Sequence, residues 1–201
     1  MINKFESRLW KLDLENLWWN DNRSKILTSL MKLNGKKKFR AHLTGGKGAG
    51  KSTIIAVLEN KIEGAKVFRM LGHPNVSYDS IDSEVLYVII DEAQKIPEGA
   101  RQLLMQKHPR VLMTSVQDLT NDGYDIVLEI EDLTVDEVES YAERGISFTN
   151  FTRGAIEELT KASMGRPRLI NLFCNTALEE HSKITREIIR DVAVKKFKRR
   201  Y

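Results

Sequence analysis

The chain has a single cysteine, Cys174, among its 201 residues, and one thiol cannot form an internal disulfide. Cys174 falls in a helical pattern, where buried packing is its expected role. Long hydrophobic runs are missing as well. No stretch approaches the roughly 20 apolar residues needed to cross a bilayer, and Met1 to Arg8 holds no apolar signal core. The expectation is a cytoplasmic protein with no membrane span. His42, His73, His108 and His181 lack ligand spacing with one another or with Cys174, so no metal site built from them is expected. Internal repeats and low-complexity stretches are absent too. What remains is 41% hydrophobic and 30% charged, long enough for one domain and a small appendage.

One motif stands out against these absences. Residues 45 to 53 read Gly-Gly-Lys-Gly-Ala-Gly-Lys-Ser-Thr and satisfy G-x-x-x-x-G-K-[ST] in full. Gly45, Gly48 and Gly50 let the backbone take positive φ and approach phosphates closely. With Gly46, Lys47, Ala49 and Thr53 they form an anion nest at a helix N-terminus, where the helix dipole favours negative charge. Lys51 is placed to reach β- and γ-phosphate oxygens, and the Ser52 hydroxyl to ligate Mg²⁺. The flanks agree: Phe39 to Thr44 reads as a strand entering the loop, and Ser52 to Lys61 as a helix leaving it. A chance Gly-rich turn containing Lys-Ser would need neither flank. The motif predicts a nucleoside triphosphate ligand.

A second motif bears on what happens to that ligand. Val85 to Ile90 is a short, continuously apolar run, as expected of a strand buried on both faces of a parallel sheet. It ends in Asp91-Glu92-Ala93-Gln94. An acidic residue at the carboxyl end of such a strand lies beside the phosphate loop, where Asp91 can hold Mg²⁺. Glu92 is then placed to act as general base on the attacking water. Read alone, Asp91 and Glu92 could equally cap a helix starting near Pro97. Following a complete phosphate loop, they predict hydrolysis.

The remaining periodicity alternates strand and helix, then turns helical. Strands are predicted at 39–44, 65–71, 85–90, 110–115 and 125–130, with a turn-rich connection from Gly72 to Ser83 and a helix from about Pro97 to Lys107. Thr134 with Glu137 is a capping box opening a helix to about Arg144. Thr152 can cap a helix to Ser163, Pro167 sits in the first turn of one ending near His181, and Thr185 can cap a last one to Lys198. The expected architecture is an α/β fold, a five-stranded parallel sheet sandwiched by helices and followed by a small all-helical lid. The divisions are residues 1–38 (N-terminal helical segment), 39–132 (phosphate-loop core) and 133–201 (helical lid with a basic tail).

With these segments in place, the sequence resembles the AAA+ ATPases over the whole minimal module. The loop also fits that family's G-x-x-G-x-G-K-[ST] spacing, as Gly45, Gly48, Gly50, Lys51 and Ser52. The resemblance implies that the Thr114 strand lies between the loop strand and the Asp91 strand, aiming Thr114 or Ser115 at the γ-phosphate. Gly165-Arg166-Pro167-Arg168-Leu169-Ile170-Asn171 is similar to the G-x-P-R-x-I-N helix start of the origin-recognition, ExeA-type secretion and TnsC-type transposition branch. Leu128 through Tyr141 resembles that branch's passage from the last strand to the lid. In it, the arginine at the position of Arg168 reaches from lid to γ-phosphate, and a guanidinium suits phosphate oxygens well. ATP rather than GTP follows from the resemblance, and no N/TKxD-type guanine reader follows the fourth strand.

The resemblance breaks in two places. AAA+ enzymes usually take an arginine finger from a neighbouring subunit, worth roughly 10³–10⁵ in rate. Between Val116 and Asp125 there is no arginine; Arg101, Arg110 and Arg153 are substitutes without a compelling position. A partner or neighbouring copy in an ATP-dependent homo-oligomer is expected to supply the cation. Secondly, no winged-helix domain follows the lid, which favours loaders, transposition regulators and secretion ATPases over origin-binding initiators.

The N-terminal segment gathers Leu9, Trp10, Leu12, Leu14, Leu17, Trp18 and Trp19. In the branch it packs beside the adenine, with Ile26 and Leu27 opening the helix before the sheet. Trp10 and Trp18 are expected to pack inward and Trp19 to be exposed. The net charge is +4, concentrated in Lys36-Lys37-Lys38 with Arg40 and in Lys195, Lys196, Lys198, Arg199 and Arg200. Such clusters predict salt-sensitive, weakly sequence-specific DNA contact, although basic helix ends are also ordinary solvated surface. Two functions compete: an ATPase that assembles on DNA or a DNA-processing partner, and an ATPase switch for a secretion, pilus or defence machine without nucleic acid.

Overall fold

Asn20 starts the first helix among the described residues. Its side chain accepts from the Arg23 N–H at 3.0 Å and caps α1, Asp21–Asn34. The structure is a computed structural model that describes residues 17–69, 81, 84–145 and 150–198. Ile26, Leu30 and Leu33 recur at helical spacing and form the buried stripe of α1. Ile26 thus lies within the helix rather than at its opening, because Asn20 supplies a local cap. Trp18 and Trp19 are both half-buried, so Trp19 is not the exposed member of the pair; it directly precedes the buried cap residue. Leu9, Trp10, Leu12 and Leu14 lie outside the described residues.

The chain divides into two compact units, Met1–Gly45 with Lys51–Ile130, and Gly46–Gly50 with Glu131–Tyr201. In the first, β1 Phe39–Gly45, β2 Ala65–Arg69, β3 Tyr87–Asp91, β4 Arg110–Ser115 and β5 Ile126–Ile130 form one sheet in the order β2-β3-β4-β1-β5. Every pairing is parallel. The five-stranded parallel sheet is therefore present, and β4 lies between β1 and β3 as expected. Gly45, Asp91 and Ser115 consequently end at one edge of the sheet, where α/β folds place ligands.

Burial explains the order. All five residues of β3 are buried, as a continuous apolar run in a central strand requires. Val88 and Ile90 join Val111 and Met113 of β4 on one face, packed with Ile96, Leu104 and Met105. Ile89 and Leu112, at alternate positions, serve the opposite face. Helix α2, Lys51–Lys61, leaves the loop one residue earlier than expected, and α3, Glu98–Lys107, follows a single 3-10 turn at Ala93–Lys95. Strand β3 starts at Tyr87 rather than Val85, since the Val85 carbonyl accepts from His108 Nδ1 at 3.1 Å instead of joining the ladder. Strand β2 ends at Arg69; the connection expected from Gly72 to Ser83 lies, apart from Ile81, outside the described residues.

Among the described residues, the second unit carries four helices: α4 Val135–Gly145, α5 Arg153–Ser163, α6 Pro167–Glu180 and α7 Arg186–Lys198. Thr134 and Glu137 form the capping box of α4, with the Thr134 N–H donating to the Glu137 carboxylate at 2.9 Å. Thr152 caps α5 through the Ala155 N–H at 3.2 Å. Ile156, Leu159, Ile170, Phe173, Cys174 and Ile189 are buried in this unit. Burial pushes the Cys174 thiol up to about 12, consistent with the packing role expected of it. Among the described residues, no helix is long and apolar enough to cross a membrane.

Candidate functional site

The first unit places its polar groups around Asp91. Ser52, at the head of α2, donates its hydroxyl to Asp91 Oδ2 at 2.8 Å. Thr114, at the end of β4, donates to Asp91 Oδ1 at 2.6 Å. Both donors reach the carboxylate because β3 and β4 are neighbours and α2 rises from the end of β1. Lys51 is buried, and its ammonium donates to the Gly45 carbonyl at 2.7 Å. A buried ammonium at the foot of a glycine loop is chemically matched to an anion. Ser52 and Asp91 form a hard-oxygen pair of the kind Mg²⁺ takes together with phosphate oxygens, so the residues fit that ion.

Glu92 follows in the left-handed region, at φ 61° and ψ 44°. Its N–H lies 3.4 Å from Thr114 Oγ1, and its carboxylate pairs with Lys95 in the following turn. Thr114 rather than Ser115 touches the Asp91 group. The Ser115 hydroxyl donates to the Gln117 carbonyl and lies 2.8 Å from His42 Nε2. Thr53 is half-buried in the first turn of α2.

The loop residues Gly46, Lys47, Gly48, Ala49 and Gly50 belong to the second unit. Gly48 and Gly50 have φ of 89° and 109°, conformations that L side chains resist, and Ala49 N–H closes a turn onto the Gly46 carbonyl at 3.1 Å. Ala49 is buried and Lys47 exposed. From the start of α6, the Arg168 N–H points at the Gly48 carbonyl, 3.4 Å away, and the Arg168 stem covers Gly48 so closely that an added Cβ would lie 2.9 Å from it. Asn171, from the same motif, donates to the Tyr141 oxygen at 2.9 Å and ties α6 to α4.

Solved structures share this architecture. The RuvB Holliday junction branch migration motor of Thermotoga maritima superposes with a TM-score of 0.59 at 18% identity, over 87% of this chain and 68% of that one. A variant of RuvB from the same organism gives 0.62 at 20% identity, over 92% and 72%. Domain III of the Thermotoga maritima replication initiation protein DnaA gives 0.57 at 12% identity, over 89% and 94%. The fold is that of the AAA+ P-loop ATPases. No protein-family model and no curated protein matches the sequence.

Within the AAA+ fold, the three substitute arginine fingers all have partners in the chain. Arg101 is buried and holds Asp122 at 2.5 and 3.2 Å together with the Ile96 carbonyl. Arg110 donates to the Asn34 carbonyl at 3.1 Å. Arg153 pairs with Asp136 and Glu139. Lys36, Lys37 and Lys38 are exposed ahead of β1, with Arg40 half-buried. Of the second basic cluster, Arg199 and Arg200 lie outside the described residues. Sequence reasoning passed over Lys95, Arg166 and His42. Lys95 follows Glu92 by one helical turn and could have been flagged; Arg166 stands at the unspecified position of the G-x-P-R motif, and nothing local marks His42.

Proposed function

We propose that this chain is an ATP-hydrolysing switch that assembles on DNA or on a DNA-processing partner while ATP is bound and is released after cleavage. The observation that carries the reading is the convergence of the Ser52 and Thr114 hydroxyls on Asp91, with Glu92 following Asp91 and the buried Lys51 preceding Ser52 in the chain. Mg²⁺ arriving with the nucleotide supplies charge neutralisation on the β- and γ-phosphates, and Ser52 and Asp91 would hold it. Lys51 exchanges the Gly45 carbonyl for a phosphate oxygen. Gly45 to Thr53 present backbone N–H groups to the phosphates.

Glu92 accepts a proton from water as the water oxygen bonds to the γ-phosphorus and the bond to the β–γ bridging oxygen breaks. ADP leaves with that oxygen. Thr114, its own proton given to Asp91, offers a lone pair to orient the water. Arg168 reads the γ-phosphate from the helical side, the role its place in Gly165-Arg166-Pro167-Arg168 implies. That motif also supports the origin-recognition, ExeA-type and TnsC-type branch. Arg101, Arg110 and Arg153 are each engaged within the chain, so the finger comes from a partner protein, or from a neighbouring copy through another arginine of this sequence or through one of these released from its pairing.

The DNA role is supported by the exposed Lys36-Lys37-Lys38 run and by likeness in fold to a branch migration motor and a domain of a replication initiation protein. Steady-state ATP hydrolysis with and without duplex and single-stranded DNA tests it. Stimulation by DNA that fades as salt rises is the expected result. Turnover indifferent to DNA at every salt concentration would move the function to a protein-directed switch.

A further inference from the structure

Arg166 has no role in the mechanism above. It occupies the N-cap position of α6, where short polar side chains are preferred, yet it makes no side-chain cap bond. Its guanidinium goes to the loop instead. An ideal Cβ on Gly46 would lie 2.7 Å from Arg166 Nε, 2.8 Å from Cζ and 3.0 Å from Nη2, and these are the three nearest atoms. Gly46 is not one of the positive-φ glycines. Its backbone therefore tolerates a side chain, and the guanidinium occupies the space that side chain would need. Asp132 lies 3.4 Å from the same Nε. Loop, arginine and aspartate all belong to one compact unit.

A half-exposed ion pair at that distance contributes little by itself. The placement over Gly46 is more informative. A planar cation laid on the loop backbone restrains it without consuming the N–H groups that face the phosphates, and the Asp132 carboxylate fixes the plane. Arg166 and Arg168 stand two residues apart across Pro167, each against its own loop glycine.

We infer that Arg166 is a positioning residue of the nucleotide loop, holding it in its phosphate-accepting shape by packing on Gly46. The inference rests on the ATP-binding reading. Because Arg166 acts on the loop and not on the γ-phosphate, its loss must weaken ATP and ADP alike and leave the chemical step intact.

The experiment is equilibrium binding of ATP (in the Glu92→Gln background) and ADP, with turnover measured separately, for Arg166→Ala, Arg166→Lys, Gly46→Ala and the Gly46→Ala/Arg166→Ala pair. Arg166→Ala is expected to weaken both nucleotides about tenfold, raising KM by the same factor with kcat at saturation retained. Gly46→Ala displaces the guanidinium and reproduces that loss, and the double variant is no worse than either single one. Arg166→Lys keeps the charge but not the plane and behaves like alanine. Unchanged affinity in Arg166→Ala, a loss confined to ATP, additive losses in the double variant, or full rescue by lysine would each overturn the proposal. Wild-type protein that binds neither nucleotide overturns the ATP reading and this inference with it; wild type that binds while Arg166→Ala is unaffected overturns the inference alone.

Discussion

Glu92 combines the proposed base with a strained backbone. A non-glycine residue at φ 61° costs about 1–3 kcal/mol, and such strain persists where surrounding structure fixes it. Here β3 ends at Asp91 and a 3-10 turn begins at Ala93, so Glu92 alone makes the passage from strand to turn. Glu92→Gly is expected to relieve the strain and raise the melting midpoint by about 2–4 °C, the equivalent of about 1 kcal/mol, while abolishing turnover. A lowered midpoint would show that no strain is stored there. His42 gives a second residue-level test. Its ring is buried in β1, stacks on Tyr124 at 5.0 Å and meets Ser115. Burial is the leading cause holding its pKa below the usual 6.5; Lys51 and Arg101 act in the same direction, and Asp118 and Asp122 oppose it. The unfolded chain therefore takes up the proton first, and this residue's contribution to stability is lost as pH falls below about 6.5. Chemical denaturation at pH 7.5 and 5.5 should show that loss, and His42→Phe, which keeps the stacking, should diminish it. An undiminished pH slope in His42→Phe would assign the effect elsewhere. The places of the loop, Asp91 and Glu92 between β1 and α2 and at the end of β3 were legible in sequence, because the motif fixes residue types at set spacings between a strand and a helix. The His42–Ser115 contact was not, since 73 residues separate the partners.

At the scale of elements, the turn from α5 to α6 carries the sharpest steric demand. Met164 at φ 54° ends α5 in the left-handed region, and the Gly165 N–H closes onto the Thr160 carbonyl at 3.0 Å. A Cβ on Gly165 would lie 2.2 Å from the Leu133 carbonyl oxygen and 2.5 Å from the Leu133 nitrogen, and φ is 62°. Backbone cannot give way as a flexible side chain does. Gly165→Ala is expected to destabilise by about 2–4 kcal/mol, whereas Met164→Gly, which loses only a half-exposed side chain, should stabilise by about 1 kcal/mol. Urea unfolding midpoints decide both; an unperturbed Gly165→Ala would mean the turn relaxes. Helix starts were readable because a capping box is a local signal, as at Thr134 and Glu137. The start of β3 was misread by two residues because His108, distant in sequence, takes the Val85 carbonyl.

At the scale of the molecule, the alternation of apolar runs and amphipathic helices was enough to read a parallel α/β core followed by helices. The position of β4 between β1 and β3 was reached through family resemblance, since hydropathy does not encode strand order. That residues 46–50 group with the C-terminal helices was not readable at all, because it depends on Arg166 and Arg168 meeting Gly46 and Gly48 across more than a hundred residues. The proposed function requires that this chain binds ATP through its glycine loop and cleaves it through Glu92. The most direct test measures ATP binding and single-turnover cleavage side by side for wild type, Lys51→Ala and Glu92→Gln at saturating Mg²⁺. Lys51→Ala is expected to lose binding, Glu92→Gln to bind as wild type does but cleave at least about a hundredfold more slowly, and wild type to do both. ATP affinity unchanged in Lys51→Ala, or cleavage undiminished in Glu92→Gln, would contradict the proposed function.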